Sequence, residues 1–133
     1  MKIIIFKGGL GNQLFQLSLY LKLVNQNPRC KLFLDNKTGF LLDFKHKRNF
    51  ELNKVIPKEV FNSNLNYLLN MFLIISSRYF SLNKIFKIFG IQIINDSEFN
   101  FFETMNSKKE NRKYLLFNGY FQNFKIVENN ISD

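Results

Sequence analysis

Lys2-Ile3-Ile4-Ile5-Phe6-Lys7-Gly8-Gly9-Leu10-Gly11-Asn12-Gln13-Leu14-Phe15-Gln16 is the stretch that decides the fold. Its first part, Lys2 to Phe6, is a short β-branched run closed by glycines, the pattern of a strand buried on both faces of a parallel sheet. Gly8-Gly9-Leu10-Gly11 reads as the turn. A helix is expected from Asn12 to about Asn25, with an apolar stripe of Leu14, Leu17, Leu21 and Val24. Phe15 and Leu19 widen that stripe, and Asn27-Pro28 ends the helix.

Cys30-Lys31-Leu32-Phe33-Leu34 reads as a second strand, closed by Asp35. Strand, glycine turn, helix and strand make a βαβ unit with a parallel pair. The stretch from Asn36 to Pro57 is mixed and loop-rich. Two helices are expected between Asn64 and Phe89. One carries the stripe Leu65, Leu68, Leu69, Phe72 and Ile75, the other Tyr79, Leu82, Ile85, Phe86 and Phe89. Gly90 is a stop. Third and fourth strands are expected at Ile91–Ile94 and Tyr114–Phe117, with a polar stretch from Asp96 to Lys113 between them. A further helix is expected within Phe124–Ile131. The class is α/β: a parallel sheet of about four strands with flanking helices, Rossmann-like.

Composition narrows the function classes. The chain has 133 residues, 46% of them hydrophobic, which excludes a disordered chain. It is read as one domain, 1–133. It contains 17 Phe, no Trp, 19 Asn and no Ala, a bias of the kind AT-rich coding produces. The net charge of +9 admits anionic partners without choosing among them. Most lysines are scattered, and the densest cluster is Lys45-His46-Lys47-Arg48. No nucleic-acid motif accompanies the charge, and the aromatics sit at core spacing, so nucleic acid is not expected as a partner. Cys30 is the one cysteine, which excludes an internal disulfide and a cysteine-rich zinc site. It reads as a small buried residue in a reducing compartment. No secretory leader and no membrane-spanning run is read. Arg78, Lys84 and Lys87 lie among the apolar residues of the second helical region. Such a helix either packs on the sheet or rests on an anionic membrane. The expected location is cytoplasmic, with possible peripheral contact at the inner face of the membrane.

The glycine turn brings backbone N–H groups to a helix N-terminus, which suits a phosphate or a sugar hydroxyl. Two familiar patterns compete for it. The dinucleotide fingerprint G-x-G-x-x-G places Gly9 and Gly11 correctly, with Asp35 as a ribose ligand about 20 residues on. It fails at Leu14, where close helix–strand packing calls for a small residue. The phosphate loop requires G-K-[ST], and Gly11-Asn12-Gln13 does not supply it.

With the strand before it, Gly8-Gly9-Leu10-Gly11-Asn12-Gln13-Leu14-Phe15-Gln16 resembles the opening of glycosyltransferase family 11, the α-1,2-fucosyltransferases. Leu32-Phe33-Leu34-Asp35 is similar to the family's second strand and its acid. Arg48-Asn49-Phe50-Glu51-Leu52 resembles its basic–aromatic–Glu-Leu segment. Phe117-Asn118-Gly119-Tyr120-Phe121-Gln122 resembles its Gly-Tyr-aromatic-Gln stretch. Order and spacing are those of the first half of the family. Members are longer, and their second half carries a His-x-Arg-x-Gly-Asp type motif whose arginine engages the donor diphosphate. That motif is not in these 133 residues.

The resemblance implies the acceptor-side domain of a two-domain GT-B-type enzyme, its carboxy-terminal donor domain absent here and GDP-fucose held in the interdomain cleft. The implied reaction transfers fucose, with inversion, to the 2-hydroxyl of a galactoside in surface-polysaccharide synthesis. No metal is expected, because basic side chains and N–H groups hold the diphosphate. The chain alone is expected to be inactive, its catalytic residues unknown. Gly8, Gly9, Leu10, Gly11, Asn12 and Gln13 are the expected donor-binding or cleft residues, and Asp35, Tyr120 and Gln122 the acceptor-binding ones. Each has a structural alternative: a plain tight turn for the glycines, helix capping for Asn12, capping of the next turn for Asp35, core packing for Tyr120, and a backbone bond for Gln122. Gln16 is a weaker candidate or faces solvent. His46, the one histidine, is a conceivable base or plain surface. Arg48 and Glu51 either pair or bind sugar. The alternative function is a non-catalytic sugar- or nucleotide-binding half-domain, or a truncated gene product.

Overall fold

The computed structural model describes residues 1–26, 28, 31–56, 61, 66–78, 80–96 and 114–122. In chain order the elements are β1 (Lys2–Ile5), α1 (Leu10–Gln26), β2 (Leu32–Asp35), a short α2 (Thr38–Leu41), α3 (Tyr67–Ser77), α4 (Phe80–Ile88), β3 (Ile91–Ile94) and β4 (Tyr114–Phe117). The expectations for Cys30, Leu65 and Tyr79, for most of the polar stretch after Asp96 and for a helix within Phe124–Ile131 lie outside the described residues.

The four strands form one parallel sheet in the order β2-β1-β4-β3. This is the α/β class the sequence indicates. β1 is central, with Ile4 opposite Leu34 on one side and Phe117 on the other. Side chains alternate across the sheet, so each face has its own core. Ile4, Phe6, Leu34, Ile94 and Phe117 meet Leu19 and Leu23 of α1 on one face. Ile3, Ile5, Ile93 and Leu116 meet Leu73 and Ile74 of α3 on the other, with Phe86 of α4 packed against them. Burial on both faces is why the strands are short continuous apolar runs rather than alternating ones.

Two helical stripes are not those the hydropathy pattern predicts. On α1, Leu14 and Leu21 are exposed, while Gln13, Gln16, Leu19 and Leu23 turn inward. The amides of Gln13 and Gln16 satisfy loop backbone at the sheet's end, a role that leucine has no atoms to fill. On α3, Asn70, Leu73, Ile74 and Ser76 face the sheet, leaving Leu68, Phe72 and Ile75 outside. Here too a buried hydrogen-bonding partner, Asp35, sets the rotation of the helix.

Candidate functional site

In an open parallel sheet, ligands bind beyond the carboxyl ends of the strands. Here β1, β3 and β4 end side by side at that edge, and the described residues after β4 turn to the α1 side, with Phe121 in its core and Gln122 bonded to Asn12. A hollow of about 390 Å³ lies there, lined in part by Lys7, Gly8, Arg78, Asn95, Asn118 and Tyr120. Lys7 and Gly8 follow β1, Asn95 follows β3, and Asn118 and Tyr120 follow β4. Arg78 is the C-cap of α3. Three strand ends and a helix end therefore converge on one space.

Lys7 is the pivot of the hollow. Its Nζ donates to Asn118 Oδ1 at 3.0 Å and lies 5.0 Å from the centre of the Tyr120 ring. Burial lowers its pKa below the usual lysine value, Asp96 acts in the opposite sense, and nearby Arg78 lowers it further. Asn118 Nδ2 donates to Asn95 Oδ1 at 3.2 Å. Asp96 fixes the loop after β4 by accepting from Tyr120 N at 3.0 Å and Phe121 N at 2.6 Å. Two cations, two carboxamides, the Asp43 carboxylate and a tyrosine ring thus border the hollow. That set suits a ligand carrying both negative charge and hydroxyl groups.

The glycine turn and the Gly-Tyr-Phe-Gln segment meet at its rim. Gly8 has φ +79°, and a Cβ there would lie 2.6 Å from Asn12 Nδ2 and 2.8 Å from the Tyr120 ring. The residue is glycine because both the left-handed backbone and the close approach exclude a side chain. Gln122 Nε2 donates to Asn12 Oδ1 at 2.6 Å across 110 positions of sequence. Gly8, Asn12, Tyr120 and Gln122 are therefore brought together, with Tyr120 and Gln122 exposed. Around Gly9 and Gly11 a Cβ would meet nothing within 4 Å. Leu10 is also exposed.

Gln13 and Asp35 are placed differently. Gln13 is fully buried; its Nε2 donates to the carbonyls of Gly8 and Asn49, and its Oε1 accepts from Glu51 N. It pins the segment Arg48–Leu52 to the first turn of α1. Gln16, which does not face solvent, accepts from Lys7 N at 3.1 Å and donates to the Gly119 carbonyl at 2.8 Å. It pins the β1 exit to the β4 exit. Asp35 is fully buried and accepts four hydrogen bonds, from Lys37 N, Thr38 N, Thr38 Oγ1 and Asn70 Nδ2. Of its two sequence readings, the structure displays the capping one: Asp35 closes the turn into α2 and does not line the hollow. Tyr114 donates to Asn70 Oδ1 on the same network. Burial, with Asp35 adding to it, pushes the Tyr114 phenol up to about 12.

His46 is exposed and does not line this hollow; its backbone N donates to Asp43 Oδ1. A second hollow of about 450 Å³, between α2 and the basic cluster, is lined by Phe40, Phe44, Lys47, Arg48 and others; of the residues considered for sugar binding, Arg48 alone is in its lining. Among the described residues, no three His, Cys, Asp or Glu side chains come together as metal ligands. Sequence reading missed Lys7, Arg78, Asn95 and Asp96. Lys7 had a signal, since it directly follows the central strand. Arg78 had none, because only the packing of α3 on the sheet brings its end to the strand ends.

No family model, no curated protein and no solved structure matches the chain. The class that fold and site define is thus an α/β domain with a cationic, amide-lined hollow at the carboxyl end of its parallel sheet. Among the described residues, no helix is long and apolar enough to cross a membrane.

Proposed function

We propose that the chain is the acceptor-side, amino-terminal domain of a family 11 type fucosyltransferase. Its reaction moves fucose from GDP-fucose to the 2-hydroxyl of a galactoside, in the cytoplasm at the inner face of the membrane. One observation carries the reading. The segments that resemble the family are far apart in sequence, yet three of them are hydrogen-bonded to one another around the start of α1. Gln13 joins the opening segment to Asn49 and Glu51. Gln16 and Asn12 join it to Gly119 and Gln122. The opening and the Gly119–Gln122 stretch follow adjacent parallel strands and meet for that reason; the bonds from Gln13 to Asn49 and Glu51 are the part of this meeting that strand order does not supply.

The chemistry is compatible. Transfer from a nucleotide sugar requires charge stabilisation on the departing diphosphate and orientation of the acceptor hydroxyl. Lys7 and Arg78 supply positive charge at the hollow. Tyr120 lines it, and Asn12 and Gln122, bonded to each other beside Gly8, are polar groups next to it, able to orient a sugar. The arginine motif that engages the diphosphate in the family is not among these residues, so transfer by this chain alone is not expected. A non-catalytic sugar-binding half-domain would use the same hollow. It differs in requiring no donor.

The test is binding by amide NMR of the ¹⁵N-labelled chain, with GDP-fucose, GDP and lactose as separate probes. The expected result is shifts centred on Lys7, Gly8, Asn12, Tyr120 and Gln122, reduced by Tyr120→Ala. Shifts with lactose and none with either nucleotide are what an acceptor-side domain gives when its donor domain is absent. Shifts with none of the probes, or shifts elsewhere on the surface, overturn the proposal.

A further inference from the structure

α3 and α4 cover the same face of the sheet, and each leaves apolar side chains on its outward side. On α3, Leu68 is 77% and Phe72 60% exposed, with Ile75 on the same stripe one turn further. On α4, Ile88 is 82% exposed, with Ile85 and the adjoining Phe89 beside it. The inward residues Leu73, Ile74 and Phe86 already complete the packing on the sheet. The outward six are therefore surplus to the core, and the two helices that carry them are successive in the chain and touch each other. Exposed apolar side chains concentrated on two adjoining helices mark an interaction surface.

Charge decides the occupant. The exposed Lys84 and Lys87 adjoin Ile85 and Ile88 on α4; Arg78 instead lines the hollow at the sheet's end. No Asp or Glu occurs anywhere from Val60 to Asn95. An apolar centre with a cationic border and no acid is the complement of an anionic lipid surface, where apolar side chains enter the acyl boundary and lysines meet headgroup phosphates. An ordinary protein interface would be expected to mix charges of both signs at its rim. We infer that the outward face of α3–α4 docks the domain on the surface of an anionic bilayer, without crossing it. This deepens the membrane-face location proposed above. It rests on the patch and not on the transfer chemistry, so vesicle binding and sugar binding can fail separately.

The experiment is co-sedimentation of the chain with large unilamellar vesicles of phosphatidylcholine alone, or with about one-third phosphatidylglycerol, at low and high salt. Binding is expected to the anionic vesicles, weakened at high salt and at least tenfold weaker to neutral ones. Phe72→Ser with Ile88→Ser, both at exposed positions, should lower binding at least tenfold while leaving the circular dichroism spectrum unchanged. Lys87→Glu should lower it and reduce its salt dependence. Equal binding of the serine variant and the parent overturns the inference, as does an absence of binding to anionic vesicles. Sedimentation velocity without lipid supplies the other occupant: a dimer that the same two serines abolish assigns the face to a second copy and overturns the inference.

Discussion

Replacing Gln16 with leucine tests the framework of the site directly. Gln16 is fully buried and holds two backbone groups, the N–H of Lys7 at 3.1 Å and the carbonyl of Gly119 at 2.8 Å. Leucine has nearly the same volume and no hydrogen-bonding atom, so the change removes the bonds without opening a large cavity. Each backbone group left without a partner costs about 1–3 kcal/mol. Two of them cost about 2–6 kcal/mol, and the more apolar side chain returns about 1 kcal/mol through its burial. The expected loss is thus about 1–5 kcal/mol, a large share of the roughly 5–15 kcal/mol that a domain commands. Urea unfolding followed by far-ultraviolet circular dichroism measures it. With a slope of about 2 kcal/mol per molar, the middle of the usual urea range, the midpoint should move down by about 0.5–2.5 M. Gln26→Leu, at the exposed end of the same helix, is the control and should stay within about 0.5 kcal/mol of the parent. A Gln16→Leu variant indistinguishable from that control would refute the assignment of Gln16 as the tie between β1 and β4.

Three further outcomes are expected. Gly8→Ala forces a side chain into a left-handed backbone and against Asn12 and Tyr120, so it should cost about 1–3 kcal/mol; a thermal melt like the parent's would contradict the tight contact. Because Tyr114 is raised to about 12 in the folded chain, the unfolded state loses its proton first. The resulting stability is fully present below about pH 10 and is lost as pH rises toward 12. Burial also raises Tyr20 and Tyr67, so phenol absorbance should show late-ionising tyrosines with Tyr114 last, and Tyr114→Phe should remove that last step. Lys7, lowered by burial, should lose its proton before the exposed lysines. Reductive ¹³C-methylation followed by an NMR pH titration reads it, and a Lys7 resonance titrating with the rest would show that Asp96 outweighs burial.

No proposed role at the hollow is independent of position. Lys7 borders it because β1 ends there, and Asn118 because β4 ends beside it. The same rule accounts for what sequence reading found easily. A residue just past a buried strand lies at the carboxyl edge of a parallel sheet, so Gly8, Asn12 and Tyr120 could be nominated from strand ends and turn chemistry alone. The same rule nominates Lys7, which directly follows the run that ends at Phe6. Asp35, the last residue of β2, stands at the same edge and has another task. Thr38 and Asn70 enclose it, and nothing in the local sequence reports that α3 would deliver Asn70 to its carboxylate.

The sequence by itself determined the class of fold. Ile3–Phe6 and Tyr114–Phe117 are short apolar runs bounded by polar and turn residues, as strands covered on both faces are, whereas the apolar run Met71–Ile75 sits inside a longer helical segment. The glycine turn then places a helix after the first strand, which makes the first pair parallel. Helix rotation and the composition of the site were decided only in tertiary structure. Hydropathy turned Leu14, Leu68, Phe72 and Ile75 inward. The fold turns Gln13, Gln16 and Asn70 inward instead, because the sheet's end and the buried Asp35 carry polar groups that need partners. A periodicity count scores apolar area and has no entry for a backbone carbonyl or carboxylate more than thirty residues away. That is why the outward apolar face of α3–α4, and the meeting of Gly8 with Tyr120, become visible only when the chain is folded.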